Sequence, residues 1–168
     1  IYEIPPAIAK AAMDSGVALE PITDWEKYRE ELMERSGSGS KEIRMIHNRA
    51  KSNLKRIVFA EADHLDVLKA AQRVHEERLG KVILLGRKEL ILELKEEIGF
   101  TDDVPIFDPK TDEEEGRRKR FGEAYWKNRQ RKGRTLSEAT KLMRERTYFA
   151  AMMVNENEAD ALITGYSR

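Results

Sequence analysis

The chain has 168 residues, enough to bury one sizeable core, and its 31 basic residues balance 31 acidic ones, which argues against a general nucleic-acid binder. Without cysteine it can form neither disulfides nor zinc–thiolate sites. No apolar run approaches the ~18 residues that a membrane helix needs, and no secretory signal pattern opens the chain, so we expect a cytoplasmic protein that binds neither nucleic acid nor membrane.

The first residues of the chain are typical of helices. Proline suits a helix start because its fixed φ matches the first turn, so we predict a helix that opens at Pro5 and stops near Gly16. Asp24 can cap a second helix over residues 25–34, whose apolar side chains share one stripe.

A run of serine and glycine occupies residues 36–40. These residues bury little surface and lose much entropy on ordering, which predicts a linker or domain boundary. We therefore expect a helical segment over residues 1–35, a linker over residues 36–40 and a separate domain over residues 41–168.

Beyond the linker, amphipathic segments alternate with short, continuous apolar runs of the kind found in strands that are buried on both faces. This alternation with short loops predicts parallel strands joined by right-handed crossovers, and so an α/β fold with a mostly parallel sheet. The predicted strands are residues 56–60, 81–85, 104–107 and 160–164. The predicted helices before and between the first three strands are residues 41–51, 65–79 and 90–98.

Residues 110–134 are highly charged, and we interpret them as a solvated helix that docks through one face. Thr135 and Glu138 have the spacing of a capping box, in which two side chains satisfy the free donors of a helix start. We therefore predict a new helix that opens at Thr135 and whose last residues are 142–146.

No nucleophile–base–acid set is visible, and the three histidines lie in separate helical contexts, so we predict no catalytic residue and no metal site. Glu61 and Asp63 follow the first predicted strand, where paired acids can bind a metal or orient a substrate. We favour the alternative that Asp63 caps the following helix.

A cationic cluster precedes the capped helix. Guanidinium groups and backbone donors in this position can bind the phosphates of a ligand. The alternative is a helix end whose cations complement the helix dipole. The cluster consists of Arg129, Arg131, Lys132 and Arg134.

The last predicted strand runs into a turn of small and hydroxyl residues. In an α/β protein such a turn brings ligands to the carboxyl edge of the sheet, so we predict that Thr164, Gly165 and Ser167 contact the same ligand. The chain stops where the binding loop would begin, and we therefore expect it to be a fragment of a larger protein.

Five separated blocks resemble phosphate acetyltransferases, in the order found in that family. The resemblance implies a three-layer α/β sandwich, incomplete here, that acts as a dimer. It also implies a family activity in which acetyl is transferred between coenzyme A and phosphate. The blocks are RIVFAEADHLDVLKAA, KVILLGR, YWKNRQRKGRTLSEATKLM, YFAAMMV and ADALITG.

The opening segment, IPPAIAKAAMDSGVA followed by PITDWEKYREEL, resembles the C-terminal end of the bacterial malic enzyme domain. The two segments in tandem resemble the hybrid NADP-dependent malic enzymes, in which a phosphate acetyltransferase-like domain follows the catalytic one. The resemblance implies a parent that oxidatively decarboxylates malate to pyruvate. It places NADP and a divalent metal in the upstream domain and no cofactor in this chain.

Arg129 matches an arginine that contacts coenzyme A in the true acetyltransferases. Two departures from the family pattern lie near the expected site. Where the true enzymes have a proline after the first strand and an arginine farther on, this chain has Ala60 and Asp66. Where they continue the last turn with a small residue and a histidine, this chain has Tyr166 and Ser167.

Three functions remain open for the chain. The first is a regulatory domain that binds acetyl-CoA or a related phosphorylated metabolite. The second is a working part of an acetyltransferase, and the third is a purely structural oligomerisation module. The departures favour the first over the second, and the cationic cluster favours the first over the third. We expect the chain alone to be inactive and the protein to be a homo-oligomer. A half-domain exposes apolar surface, so we also expect the chain to self-associate, with Met152 and Met153 on a helix that lies in the contact.

Overall fold

The computed structural model describes residues 4–35, 41–129, 131 and 133–166. The chain divides into two compact units, residues 1–49 and residues 50–168. The predicted linker, residues 36–40, lies outside the described residues. Within the described part of the chain, no helix combines the length and the apolar character needed to cross a membrane.

The described residues up to position 52 form three helices, α1 (Ile4–Asp14), α2 (Trp25–Arg35) and α3 (Lys41–Ser52). Two of the predicted helix ends are confirmed. Gly16, just after α1, has a φ of +72°, a conformation that glycine adopts freely. Asp24 caps α2, since its Oδ1 accepts a hydrogen bond from the backbone N–H of Lys27 at 3.0 Å.

A four-stranded parallel sheet lies in the second unit, with strand order β3-β2-β1-β4. In the register, Val58 of the central strand pairs with Ile83 on one side and Leu162 on the other. Every predicted strand forms, although β3 is shorter than expected because Pro105 has no backbone N–H to donate. The strands are β1 (Arg56–Phe59), β2 (Lys81–Leu85), β3 (Ile106–Phe107) and β4 (Ala161–Ile163).

Helices cover both faces of the sheet. Because successive side chains of a strand point to opposite faces, Val58 and Phe59 enter two different cores and are 0% and 1% exposed. The Val58 core includes residues from α6 (Glu115–Arg129) and α8 (Arg146–Asn155), with the short helix α7 (Leu136–Leu142) packed on α6. The Phe59 core includes residues from α4 (Leu65–Glu76) and α5 (Lys88–Glu97). The predicted three-layer α/β sandwich is confirmed.

One expectation is wrong, and another stays untested. The helix that opens after Thr135 ends at Leu142, because Arg146 instead begins α8, where its guanidinium pairs with the Asp63 carboxylate. Met152 and Met153 are only 5% and 1% exposed, since they fill the core between α8 and the sheet. These two side chains therefore belong to the core, whereas self-association through their helix and the homo-oligomer stay predictions.

Helices α6 and α7 approach each other closely at Gly122. A Cβ atom at this position would lie 2.6 Å from Thr140 Oγ1 and 2.8 Å from Thr140 Cα. A side-chain rotation cannot relieve the contact with a backbone atom, so the two helices would have to move apart. At Gly116, near the start of α6, a Cβ would meet no atom within 4 Å.

We expect Gly122→Ala to lower the free energy of unfolding by about 1–3 kcal/mol, because the added methyl group overpacks the helix contact. This loss overrides the gain of up to about 1 kcal/mol that helix propensity alone would give. The control Gly116→Ala, in the same helix, should stabilise by about 0.5–1 kcal/mol. Urea unfolding followed by circular dichroism measures the free energy of unfolding of both variants. If this free energy changed in the same direction in both, the account of Gly122 would be contradicted.

An ion pair ties the amino ends of β1 and β4. Asp160 Oδ2 accepts a hydrogen bond from the backbone N–H of Arg56 at 2.7 Å, and Asp160 Oδ1 accepts one from Arg56 Nη2 at 3.0 Å. The hydrogen bonds from the Arg56 side chain and backbone lower the pKa of Asp160 from 3.8 to about 2. The carboxylate therefore stays charged in the folded protein under conditions that protonate it in the unfolded chain.

This pKa difference predicts a specific acid sensitivity. Between about pH 4 and pH 2 the unfolded chain binds a proton at Asp160 that the folded protein does not, so stability falls as the pH falls through this window. Asp160→Asn removes the effect, since an amide does not titrate. The Tm advantage of the wild type over Asp160→Asn should therefore shrink as the pH is lowered across the window. Thermal unfolding of both proteins tests this, and a difference that does not vary with pH would count against it.

Candidate functional site

The carboxyl ends of β1 and β4 are neighbours at the point where the strand order reverses, since β2 and β3 lie on the other side of β1. In open α/β sheets, ligands bind in the crevice at such a switch point. Thr164 and Gly165 follow β4 here, both are exposed, and Gly165 has a φ of +104°. The structure therefore places two of the predicted site residues at the expected edge, whereas Ser167 lies outside the described residues.

A buried carboxylate occupies the backbone donors of this turn. Glu61, just beyond β1, is 6% exposed, and its Oε2 accepts hydrogen bonds from the backbone N–H groups of Gly165 at 2.8 Å and Tyr166 at 2.9 Å. Two adjacent N–H groups of this kind could otherwise bind a phosphate oxygen. In this structure the chain's own carboxylate holds them.

The two departures from the acetyltransferase pattern, Asp66 and Tyr166, contact each other. The Tyr166 hydroxyl donates a hydrogen bond to Asp66 Oδ2, and the Tyr166 ring centroid lies 5.3 Å from that of His64. The hydrogen bond to Asp66, and then its negative charge, raise the pKa of Tyr166. Tyr166 and Asp66 thus line a mainly apolar crevice between β1 and β4, which Phe59 and Ile163 also line.

The predicted arginines lie at the end of α6. Arg129 and Arg131 are both exposed, and the Arg129 guanidinium carbon lies 5.9 Å from the centroid of the Tyr125 ring. That ring packs edge-on against Tyr148 in the first turn of α8, at 5.8 Å between centroids. Since α8 begins at Arg146, which pairs with Asp63 beyond β1, this series of contacts leads from Arg129 towards the carboxyl edge of the sheet.

The structure does not join all the predicted site residues. Among the described residues, no hydrogen bond or ring contact connects Arg129 or Arg131 to the turn formed by Thr164 and Gly165, and Lys132 lies outside the described residues. The predicted capping box is confirmed, because Thr135 Oγ1 accepts from the Glu138 N–H and the Glu138 carboxylate accepts from the Thr135 N–H. The backbone N–H groups of Thr135 and Glu138 at the start of α7 are therefore both paired within the chain.

The expected role of Asp63 as a helix cap is wrong. His64 is the N-cap residue of α4, and it makes no side-chain capping hydrogen bond. The Asp63 side chain, 5% exposed, instead pairs with Arg146 and with Arg87, whose Nε lies 3.4 Å from Asp63 Oδ2. The sequence does place Arg87 just after a predicted strand, which is a usable signal. Arg146 gives no such signal because it was expected inside a helix.

No three histidine, aspartate or glutamate side chains in the described ranges come together as metal ligands would. Arg87, whose side chain is 67% exposed, instead offers guanidinium donors to an anionic ligand at this edge.

Comparisons with known proteins show which proteins the chain is similar to. A family model described as phosphate acetyl/butaryl transferase matches residues 42–168. An NADP-dependent malic enzyme from Rhizobium meliloti is 34% identical over 172 aligned residues, which cover 100% of this chain and 22% of that enzyme. A phosphate acetyltransferase from Thermoanaerobacterium thermosaccharolyticum is 33% identical over 73% of this chain and 36% of that enzyme.

The fold comparison points the same way. A phosphotransacetylase from Streptococcus pyogenes superimposes with a TM-score of 0.61 and 28% identity, over 75% of this chain and 39% of that protein. The chain thus spans 22% of the length of this malic enzyme and less than half of the length of each transferase. Since the family model covers most of the sequence and the sandwich matches a solved member, the chain belongs to the phosphate acetyl/butaryl transferase family.

Proposed function

We propose that the chain is a regulatory part of an NADP-dependent malic enzyme and that it binds acetyl-CoA or a related phosphorylated metabolite. The alignment of the whole chain with a malic enzyme supports the first half of this proposal. The whole protein would oxidatively decarboxylate malate to pyruvate in a part that lies outside this chain. NADP and a divalent metal would bind in that part, and the protein would be a homo-oligomer.

The hydrogen bond between Tyr166 and Asp66 is the observation that carries the proposal. Acetyl transfer requires that the thioester and the phosphate acceptor lie side by side in a fixed geometry. In this chain Tyr166 and Asp66 line the switch-point crevice and bond to each other, while Glu61 takes the donors of the turn. This arrangement supports ligand binding without group transfer.

Arg129 is the proposed anchor for the ligand's phosphates. It is exposed and has no hydrogen bond to another described residue, so its guanidinium can offer a bidentate pair of donors to a phosphate. Arg131 and Lys132, close behind it in the sequence, would add positive potential. Thr164, Gly165 and Ser167 remain proposed contacts of the same ligand at the carboxyl edge.

Arg129→Ala should weaken acetyl-CoA binding about tenfold, because a charge-assisted contact to phosphate is worth roughly 1.5–3 kcal/mol. Arg129→Lys should recover only part of the loss, since an ammonium cannot form the planar pair of hydrogen bonds. Arg73→Ala is the matched control, because Arg73 is an exposed arginine of α4 that pairs with Glu77. Calorimetric titration with acetyl-CoA measures all four proteins. Unchanged affinity in Arg129→Ala would show that Arg129 is only a solvated helix-end cation.

The proposal also predicts that the chain does not transfer acetyl groups. The chain and the whole protein should form no acetyl-CoA from acetyl phosphate and coenzyme A, because Tyr166 and Asp66 bond to each other at the wall of the crevice in which the reactants would meet. Measurable turnover in this assay would favour the active transferase instead. If acetyl-CoA neither binds nor alters malate oxidation, the structural oligomerisation module would be the better interpretation.

A further inference from the structure

A second group of charged side chains lies at the carboxyl ends of β1, β2 and β3, and neither the arginines at the end of α6 nor the turn after β4 belongs to it. It surrounds a cavity of about 60 Å³, which has room for a few water molecules. A single phosphate group fits such a space, whereas a nucleotide base does not. The cavity is lined by Asp63, Gly86, Arg87, Asp108, Lys110 and Arg146.

Asp63 fixes two arginines at the wall of this cavity. Its side chain is 5% exposed, and each carboxylate oxygen takes one guanidinium: Oδ2 accepts from Arg87 Nε at 3.4 Å, and Oδ1 accepts from Arg146 Nη1. A guanidinium has five N–H donors, so most donors of both arginines remain for another partner. The Arg87 and Arg146 side chains are 67% and 33% exposed, which leaves these donors accessible.

The backbone around the cavity adds positive charge. Helices α4, α5 and α8 all begin beside it, with His64, Arg87 and Glu145 as their N-cap residues. None of these three residues makes a side-chain capping hydrogen bond. The first N–H groups of a helix point out of its start and carry the positive end of the helix dipole. Three helix starts therefore favour an anion at the same place.

The side-chain charges favour an anion as well. Arg87, Arg146 and Lys110 supply three positive charges, against the two carboxylates of Asp63 and Asp108. Asp63 is paired with both arginines, and Asp108 Oδ1 accepts a hydrogen bond from the backbone N–H of Lys110 at 2.9 Å. We propose that this cavity binds a phosphate group, either as inorganic phosphate or as the phosphoryl end of a small metabolite. Two guanidinium groups held by one buried carboxylate can bridge neighbouring phosphate oxygens.

Titration of the 168-residue chain with inorganic phosphate at constant ionic strength, with chloride as the replacement anion, tests the proposal. We expect saturable binding that is about tenfold weaker in Arg87→Ala, which loses a charge-assisted pair of hydrogen bonds. Lys110→Ala should reduce the affinity less, since an ammonium acts as a point charge. Asp63 still pairs with Arg146 in Arg87→Ala, and the Lys110 side chain is exposed, so we expect both variants to fold. The matched control is Arg73→Ala, which removes an exposed arginine that lies outside the cavity.

The proposal is overturned if phosphate gives no saturable binding, if Arg87→Ala binds like the wild type, or if Arg73→Ala loses as much affinity. Competition with coenzyme A identifies the source of the phosphate group. Displacement of inorganic phosphate, together with weaker coenzyme A binding in Arg87→Ala, assigns the cavity to the phosphates of a metabolite; simultaneous binding assigns it to free phosphate. Arg129→Ala should bind inorganic phosphate normally, so this inference and the proposed role of Arg129 can fail separately.

Discussion

Two buried carboxylates that follow β1 hold the carboxyl edge of the sheet together. Glu61 binds the backbone of the turn after β4, and Asp63 binds Arg87 beyond β2 and Arg146 at the start of α8. A buried carboxylate without partners would cost several kcal/mol, so these contacts must form together with the core. They fix the ends of three strands and one helix relative to each other, which is the framework that any ligand at this edge would meet.

Under the proposed function the chain keeps the fold of its transferase family without the reaction, and this framework is consistent with that proposal. The sandwich depends on the two apolar cores, which the departures at Asp66 and Tyr166 leave untouched. Those two residues instead bond to each other beside the switch-point crevice. Because a binding surface needs fewer fixed groups than a reaction does, the exposed arginines would still be able to bind a ligand in a chain that does not transfer acetyl groups.

The parts of the structure that depend on local sequence were predictable. Continuous apolar runs identified the strands, and the spacing of Thr135 and Glu138 identified the start of α7. Two partners of the buried carboxylates were not predictable, because Glu61 and Gly165 are separated by 104 positions and Asp63 and Arg146 by 83. Such pairs depend on strand order and helix direction, which no local pattern specifies.

A crystal structure of the protein with acetyl-CoA tests the central claim most directly. If the chain binds this ligand without turning it over, a phosphate of acetyl-CoA should lie within hydrogen-bond distance of the Arg129 guanidinium, with the bond between Tyr166 and Asp66 intact. The account would be contradicted if Tyr166 were displaced and the acetyl group lay in the crevice between β1 and β4, since that is the arrangement a working transferase requires.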